Sequence, residues 1–320
     1  MINFILKLLR KIYIKIFGKK ERGFFNKKKP DFNGEESSYQ IYQLLKSDKP
    51  CMISRLGNTE SICVYQYKVN NENKFKRYKK YIVGDIDGLN YTLAMKNQIR
   101  NNAGFFPVDN KNLNRFSELI ILEMQKIDIL GSWLDVENKF KKELCIAKSI
   151  HLEDLNAYNH KNPWTKALKG KKVLVIHPFA KSIESQYKNR DKIFKNNEIL
   201  PSFKLITYKP VVSIAGQHDE VGFNNWFDAL DYMKKDISNI DFDIAILGCG
   251  AYGLPLASFI KDIGKKAVHI GGSTQMLFGI LGRRWETEYD LSHLINEHWV
   301  RPDKSEIPKD FIKIENGCYW

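Results

Sequence analysis

A glycine-rich turn at positions 248–253 is the segment of this chain best suited to hold a phosphate group. It reads Gly-Cys-Gly-Ala-Tyr-Gly, so Gly248, Gly250 and Gly253 have the Gly-x-Gly-x-x-Gly spacing. Such a turn brings a diphosphate close to the backbone N–H groups that open a helix. An apolar run precedes the turn at 244–247 and a helical pattern follows it at 254–263. The segment therefore predicts a strand, a nucleotide-binding turn and a helix.

The residues after this unit indicate which nucleotide it would bind. A dinucleotide-binding unit carries an Asp or Glu about 20 residues further on, which holds the ribose hydroxyls. Here the end of the next predicted strand, 267–270, leads into His269-Ile270-Gly271-Gly272, with no carboxylate. This argues against a nicotinamide-dependent oxidoreductase. Gln275 and the run Arg283-Arg284-Trp285 suit another diphosphate ligand, because cations neutralise a diphosphate leaving group and an aromatic ring stacks on a base or sugar.

A second candidate segment, Arg55-Leu56-Gly57-Asn58-Thr59-Glu60, lies between a predicted strand at 51–54 and a predicted helix at 60–67. Side chains at such turns point into the crevice where α/β folds bind ligands. A purely structural interpretation has equal weight: Asn58 or Thr59 would cap the helix, and Glu60 would interact with the helix dipole.

Other polar residues support a functional and a structural interpretation alike. His177 closes a predicted strand at 173–176, either as a ligand-facing group or as a hydrogen-bonded core residue. Arg190 could pair with phosphate or form a surface ion pair. The Asp85-Ile86-Asp87-Gly88 segment has the Asp-x-Asp pattern of a metal site, but its composition is that of a surface turn.

The elements that must position these residues alternate between strands and helices. Further strands are predicted at 127–133 and 203–207, and further helices at 39–45, 91–101, 112–126, 137–150, 182–194 and 224–233. Alternation of this kind predicts an α/β fold with a doubly wound, mainly parallel, Rossmann-like sheet. Because ligands bind at the carboxyl ends of such strands, His177, the glycine turn and residues 269–272 should converge.

Composition limits the class of protein. The chain has 320 residues, 43% of them hydrophobic and 12% aromatic, as expected of a folded globular protein. Its five cysteines show no metal-ligand spacing, and their odd number fits a reduced, cytoplasmic protein. No run of about 18 uncharged apolar residues is present, so no membrane-spanning segment is predicted.

The net charge of +14 is concentrated in the first thirty residues. These hold ten Lys or Arg residues and one acid, Glu21, which leaves +5 for the other 290 residues. A protein that binds nucleic acid through its core would spread positive charge over the folded body, so no nucleic-acid partner is expected.

Residues 1–17 have the pattern of an amphipathic helix. Apolar residues gather on one side and lysines on the other: Ile5, Leu8, Leu9, Ile12, Ile16 and Phe17 against Lys7, Lys11, Lys15 and Lys19. Charges interrupt the stretch throughout, unlike the core of a signal peptide. We interpret residues 1–30 as a peripheral anchor on the inner face of a membrane, the alternative being a solvated or partner-bound helix. Residues 1–34 then form a basic tail and linker.

Two parts of the chain, residues 55–60 and several segments between 163 and 320, resemble a known family. The segment 55–60 resembles the Arg-Phe-Gly-Asp-x-Glu segment of bacterial glycosyltransferases with the GT-D fold. The downstream sequence is similar to GT-D-like proteins found with surface-polysaccharide assembly enzymes, at residues 163–164, 172–179, 186–187, 248–253, 271–272, 275, 277–280, 282, 284–285 and 317–320. The resemblance implies a GT-D-like catalytic domain over 35–320, with an N-terminal half (35–168) and a nucleotide-binding half (169–320).

The resemblance also implies an activity, which is transfer of a sugar from a nucleoside-diphosphate sugar to a glycan acceptor, expected to be lipid-linked. In that family the Asp-x-Glu pair engages a divalent metal, Mn²⁺ or Mg²⁺, and the donor diphosphate. The implied catalytic residues here are Glu60, His177 and Arg284, and the implied metal ligands are Glu60 and Asn58. The implied donor-binding residues are Arg55, Gly57, Asn58, Thr59, His177, Gly248, Gly250, Tyr252, Gly253, Gly271, Gly272, Gln275, Arg284 and Trp285.

One residue departs from the family pattern. Asn58 stands where the family has Asp, which leaves Glu60 as the only carboxylate of the motif. Metal affinity should fall with one charge fewer, and Arg55 or Arg284 would then complement the diphosphate directly. The departure also supports an alternative, a non-catalytic nucleotide-binding scaffold in a polysaccharide assembly complex. The donor sugar, the acceptor, the stereochemistry and the oligomeric state do not follow from the sequence.

Overall fold

One sheet of seven parallel strands forms the centre of the fold. The computed structural model describes residues 2–18, 23–214, 222–289 and 291–320, so Lys19, Lys20 and Arg22 of the basic tail lie outside the described residues. The strands are β1 (Cys51–Arg55), β2 (Ile129–Ser132), β3 (Lys148–His151), β4 (Lys172–Ile176), β5 (Lys204–Tyr208), β6 (Ile244–Leu247) and β7 (Lys266–His269). Their order in the sheet is β3-β2-β1-β7-β6-β4-β5. The predicted α/β fold with a parallel sheet is confirmed.

Helices cover both faces of the sheet. Those of eight residues or more are α1 (Ile2–Phe17), α2 (Glu35–Lys46), α3 (Asn58–Asn70), α4 (Lys74–Ile82), α5 (Leu93–Ala103), α6 (Asn110–Met124), α7 (Ala180–Tyr187), α9 (Trp226–Ser238) and α10 (Gly253–Asp262). Shorter ones are α8 (Arg190–Ile193), α11 (Thr274–Leu277) and α12 (Arg283–Thr287).

Alternate residues of each strand point to opposite faces and build two cores. Met52 and Leu247 belong to the core under α3, α5, α6, α9 and α10, whereas Ile53 and Ile246 belong to the core under α2, α7 and α8. These strand residues are buried, and burying an aliphatic side chain of this size contributes roughly 1.5–3 kcal/mol. The continuous apolar runs of the strands follow from burial on both faces.

The strand order creates a crevice between β4 and β6. After β4 the chain passes to β5 on one side, and after β6 it passes to β7 on the other. Strands whose following connections leave in opposite directions open a crevice at their carboxyl ends, and α/β folds bind ligands there. His177 and Gly248, the residues that follow these two strands, lie at this crevice.

Two predicted helices are wrong. The helix expected over 137–150 is a short turn of 3₁₀ helix, Asp135–Lys139, followed by the edge strand β3, which pairs with β2 from Ile129↔Lys148 onwards. The residues favour a helix, but pairing with the sheet and burial of Phe140 override that preference. The helix expected over 182–194 is two helices, because the chain turns at Asn189, whose N–H donates to Gln186 O at 2.8 Å.

Helix α1 packs against α4 and keeps its apolar stripe exposed. Leu6 is buried, and Arg10 donates to the carbonyl oxygens of Tyr81 (2.9 Å) and Ile86 (2.7 Å). The apolar residues predicted on one side are exposed: Ile5, Leu8, Leu9, Ile12, Ile16 and Phe17. Among the described residues, no helix combines the length and hydropathy that crossing a membrane requires.

Candidate functional site

Residues 55–60 form a corner, the Glu60 corner, at which the chain passes from β1 into α3. Gly57 is the residue before the helix, in an extended conformation, and no side chain caps the helix start, so the cap predicted for Asn58 or Thr59 is not formed. Glu60, in the first turn, folds back so that its carboxylate lies over Gly57. Burial raises the pKa of Glu60, while its own backbone N–H and the cation of Arg55 act in the opposite direction. A raised pKa is typical of carboxylates that act as acids or bases.

Arg55, the last residue of β1, points along the carboxyl edge of the sheet. Its guanidinium lies 4.8 Å from the ring centroid of Trp133, a cation–π contact. On its other side it borders Gly271, where a Cβ atom would lie 3.5 Å from Arg55 Nη1. Gly271 has φ +67°, a backbone conformation that side chains disfavour. Burial lowers the pKa of Arg55, and the nearby Glu60 and Tyr319 oppose that shift.

His269 is fixed at the end of β7, the strand beside β1. Its Nδ1 lies 3.0 Å from Ser54 Oγ, and its ring presses against Gly253, where a side chain would collide with Nε2. Burial lowers the pKa of His269 to about 3, and the charge of Arg55 adds to the shift. The imidazole is therefore neutral at pH 7. Its contact with Gly253 explains the third glycine of the turn.

A cavity of about 20 Å³ separates the two predicted segments. Its lining includes Gly57 and Glu60 of the first segment, Gly250 and Ala251 of the glycine turn, and His269. The volume is room for about one water molecule. The Glu60 corner and the glycine turn thus face each other across an unfilled space at the carboxyl edge of the sheet.

His177 is held as a neutral hydrogen-bond donor. It is buried, its Nδ1 accepts the N–H of Phe179 at 3.0 Å, and burial lowers its pKa to about 3. The proton of the neutral ring must then be on Nε2, which leaves no basic nitrogen free. A general base needs a free lone pair, so His177 in this tautomer does not suit that role, and any other part in catalysis stays a prediction. Its Cδ2 lies 2.7 Å from where a Cβ of Gly248 would be, so both border the crevice.

Arg284 lies in α12 and contacts the C-terminal segment of the chain. It forms an ion pair with Glu315, and its Nη1 donates to Tyr319 Oη at 3.4 Å. The Tyr319 ring covers Gly272, whose Cβ position is 2.5 Å from Tyr319 Cε1. Burial raises the pKa of Tyr319 to about 12, against the charges of Arg284 and Arg55. Two cations therefore share one edge with Tyr319 between them, a residue that reasoning from the sequence did not place in the site.

Three residues implied to contact the donor are packed into the interior. Tyr252 stacks on Trp226 with centroids 4.8 Å apart. Gln275 Nε2 donates to the backbone of Ile280 and Tyr319, each at 3.2 Å, and Trp285 is buried against Gly282. None of these side chains lines the cavity beside Glu60, and a direct contact with the donor stays a prediction for them.

Few protein oxygen atoms near Glu60 could serve as ligands to a metal ion. Among the described residues no group of three or more His, Cys, Asp or Glu side chains is placed to hold a metal ion. One carboxylate, Glu60, and one amide, Asn58, fit Mg²⁺ or Mn²⁺ only when substrate phosphates and water supply the remaining ligands. Asp85 and Asp87 are engaged elsewhere, by Tyr65 Oη at 3.1 Å and by the guanidinium of Arg10 at 3.9 Å.

Comparison with known proteins gives one match. The family profile described as a GT-D fold-like domain, GT-D-like, matches residues 33–277, which is most of the chain. Glu60, His177 and both glycine segments lie within the matched region, and Arg284 and Tyr319 lie beyond it. No curated protein and no solved structure matched in the other two comparisons.

Proposed function

The chain belongs to the GT-D-like family, and on that premise we propose that it is a glycosyltransferase that moves a sugar from a nucleoside-diphosphate sugar to a glycan acceptor. The fold is of the glycosyltransferase type. The observation that carries the proposal is the cavity where Glu60 and the glycine turn meet. Arg55 lies beside Gly271 at the same edge, so a carboxylate, a cation and the backbone of two glycine segments meet at one edge of the sheet.

The donor diphosphate is proposed to contact Arg55 and Arg284 along the edge that these two cations share with Tyr319. Two cations in a site of low solvent access stabilise the charge that develops on a departing nucleoside diphosphate, which is commonly the largest catalytic contribution. Backbone N–H groups at the start of α10 add to this stabilisation. Arg284 must release Glu315 to serve in this way, since that carboxylate now occupies its guanidinium.

Glu60 is proposed as the group that contacts the reacting atoms. With its pKa raised by burial, its carboxylate suits removal of a proton from an acceptor hydroxyl in an inverting reaction. In the alternative role for Glu60, it and Asn58 would hold a divalent metal, Mn²⁺ or Mg²⁺, that would supply charge neutralisation at the diphosphate, and Glu60 would then not act as the base.

A membrane location is part of the proposal. The exposed stripe of α1 carries its aliphatic residues beside Lys7, Lys11 and Lys15, which are exposed too. An apolar face flanked by lysines binds anionic lipid surfaces. The protein would thus work at the cytoplasmic face of a membrane, where a lipid-linked acceptor of surface polysaccharide biosynthesis is found.

A second candidate is a non-catalytic scaffold that binds a nucleotide within an assembly complex. Two observations favour it: Asn58 replaces an acidic residue, and the ion pair with Glu315 occupies Arg284. A scaffold needs neither a free leaving-group cation nor a carboxylate base. It would retain nucleotide binding and lack turnover.

The deciding experiment measures release of nucleoside diphosphate from uridine, guanosine and thymidine diphosphate sugars, with Mn²⁺, Mg²⁺ or EDTA. A glycosyltransferase should turn over one donor, and Glu60→Gln should lower kcat by about a hundredfold or more, a typical loss for a general base. Glu297→Gln, a change at an exposed carboxylate, is the matched control. Binding without turnover in the wild type would support the scaffold, and no response to any donor would contradict both.

A further inference from the structure

A second and larger cavity, of about 240 Å³, lies at the carboxyl ends of β4 and β5. Pro178, next to His177, and Lys209, next to the end of β5, form one side of it. Val212, Ile214, residues 305–309 and Trp320 complete the lining. The cavity therefore lies at the carboxyl edge of the sheet, where α/β folds bind ligands, on the β5 side of β4.

The cavity combines apolar walls with two lysines. Trp320 is fixed by ring contacts to Phe179 (6.0 Å between centroids) and Phe311 (5.7 Å). Lys209 and Lys309 contribute exposed ammonium groups, and neither has an ion-pair partner within the described ranges. Small-molecule sites likewise combine apolar and aromatic side chains with placed polar groups.

The one carboxylate side chain in the lining, Glu306, is engaged by hydrogen bonds at the start of α7. Glu306 is buried and accepts the N–H groups of Lys181 (2.8 Å) and Ser182 (3.2 Å), as well as the Ser182 hydroxyl. Its charge thus faces the start of α7, where the helix dipole stabilises it. The two lysines are left to set a positive potential in the cavity.

We propose that this cavity binds a phosphorylated sugar, with the sugar ring against Trp320 and the phosphate between Lys209 and Lys309. The ammonium of lysine binds phosphate as a point charge. The volume lies below the roughly 300–1,000 Å³ of sites for drug-sized ligands, so it suits one ring with one phosphate. The further assignment of this ligand as part of the acceptor rests on the function proposed above.

The position separates this ligand from the donor diphosphate. β1, which carries Arg55, and β4, which precedes Pro178, are three strands apart, or about 14 Å at the usual strand spacing. One phosphate cannot contact both places. The cavity and the Glu60 corner are instead two sites along one edge of the sheet, with Tyr319 and Trp320 between them.

Calorimetric titration of the full chain tests the proposal. The probes are glucose 1-phosphate, galactose 1-phosphate, N-acetylglucosamine 1-phosphate, inorganic phosphate and the diphosphates of uridine, guanosine and thymidine. At least one sugar phosphate should bind the wild type, and Lys209→Ala with Lys309→Ala should weaken it by about tenfold or more, as loss of two phosphate contacts requires. Lys141→Ala with Lys142→Ala removes the same charge near β3, at the other end of the sheet, and should leave the affinity within about twofold.

A second variant tests the sugar contact. Trp320→Leu should weaken binding of the sugar phosphate and leave that of inorganic phosphate unchanged. The proposal is overturned if no sugar phosphate binds, if the lysine and control variants behave alike, or if the lysine variant loses nucleoside diphosphate instead. Lysine-dependent sugar-phosphate binding in a protein that neither binds nor turns over any nucleotide donor would retain this site and reject the proposed glycosyl transfer.

Discussion

The carboxylate of Glu60 lies over Gly57, so closely that a methyl group at position 57 would occupy the same space. Gly57 has φ −76° and ψ 139°, a conformation that alanine adopts without strain. Gly57→Ala should therefore displace the carboxylate and leave the backbone in place. We expect donor turnover to fall at least about tenfold, since misplacing a catalytic group by about 1 Å costs that much or more.

Thermal unfolding separates this effect from a loss of fold. Gly57→Ala should keep a melting temperature close to that of the wild type, because the displaced group is the end of a flexible side chain. Gly23→Ala, where the new methyl group meets Asp135 at an ordinary 3.6 Å, is the control for activity. Full turnover in Gly57→Ala would mean that the position of Glu60 does not matter to the reaction.

The buried His177 makes stability depend on pH. Its pKa is about 3 in the folded protein and 6.5 in a free chain, so between these values the unfolded state binds a proton that the folded state does not. Stability should then fall as pH falls from 6.5 towards 3, by up to about 1.4 kcal/mol per pH unit for one such group. His177→Asn retains an acceptor for the N–H of Phe179 and removes the titration.

Urea unfolding at pH 7, 6 and 5 measures the effect. The loss of unfolding free energy between pH 7 and pH 5 should be smaller in His177→Asn than in the wild type. It should be unchanged in His293→Asn, a change at an exposed histidine. The buried His269 contributes in the same direction in every variant, so some dependence remains. Identical losses in the wild type and His177→Asn would show that the imidazole is not kept neutral by burial.

The sheet could be predicted because most of its strands are buried on both faces and are therefore continuous apolar runs in the sequence. Ile244–Leu247 and Lys172–Ile176 are short apolar runs that end in turn residues, and they lie within about one residue of where the sequence places them. The edge strand Lys148–His151 has one buried residue, Ile150, and therefore no such signal. The local preference of residues 137–150 for helix therefore led to a predicted helix where the structure has β3, since it is the pairing with β2 that stabilises this strand.

The sequence predicts which edge of the sheet carries the site, but not which side chains line it. The carboxyl ends of parallel strands lie together whatever their sequence, which brings Glu60, Gly250 and His269 to one cavity. Spacing does not tell which way a side chain points, and Tyr252 turns into the core to stack on Trp226. The placement of Tyr319 between Arg284 and Gly272 depends on tertiary packing of distant segments, for which the sequence holds no pattern.

The ion pair between Arg284 and Glu315 should compete with the donor. Glu315→Gln keeps the size of the side chain and removes its charge. The guanidinium then keeps only its weaker pair with Glu288 (3.8 Å) and is more available to a diphosphate. Binding of the nucleoside diphosphate should then tighten by about threefold to tenfold, within the range of a charge-assisted hydrogen bond. Arg284→Gln should weaken binding by about tenfold or more.

Calorimetric titration at two salt concentrations tests both changes. Glu297→Gln removes one negative charge at an exposed position and should leave the affinity unaltered. An exclusively structural ion pair would give the opposite pattern, with lower melting temperatures in both variants and no change in nucleotide affinity.

Anchoring through α1 should depend on its exposed stripe and not on the contacts that hold the helix to the body. Deleting residues 1–30 should release the protein from anionic vesicles, but it also removes the bonds from Arg10 to Tyr81 and Ile86. Ile5→Glu with Ile12→Glu is a sharper change, because both residues are exposed and Leu6 and Arg10 stay in place. Each isoleucine inserted into lipid contributes roughly 1.5–3 kcal/mol, so the double variant should lose vesicle binding by at least about tenfold.

Co-sedimentation with vesicles that contain anionic lipid measures this loss. Ile312→Glu, at another exposed isoleucine outside α1, controls for the added charge and should bind as the wild type does. Lys7→Gln with Lys11→Gln should weaken binding by about 1 kcal/mol per lysine at low salt and less at high salt, because the attraction to the lipid surface is screened. If the wild type and the three substitution variants sediment equally with vesicles, the exposed stripe does not bind lipid, and a protein partner becomes its expected ligand. If Ile312→Glu loses as much binding as the double variant, the loss is due to the added charge alone.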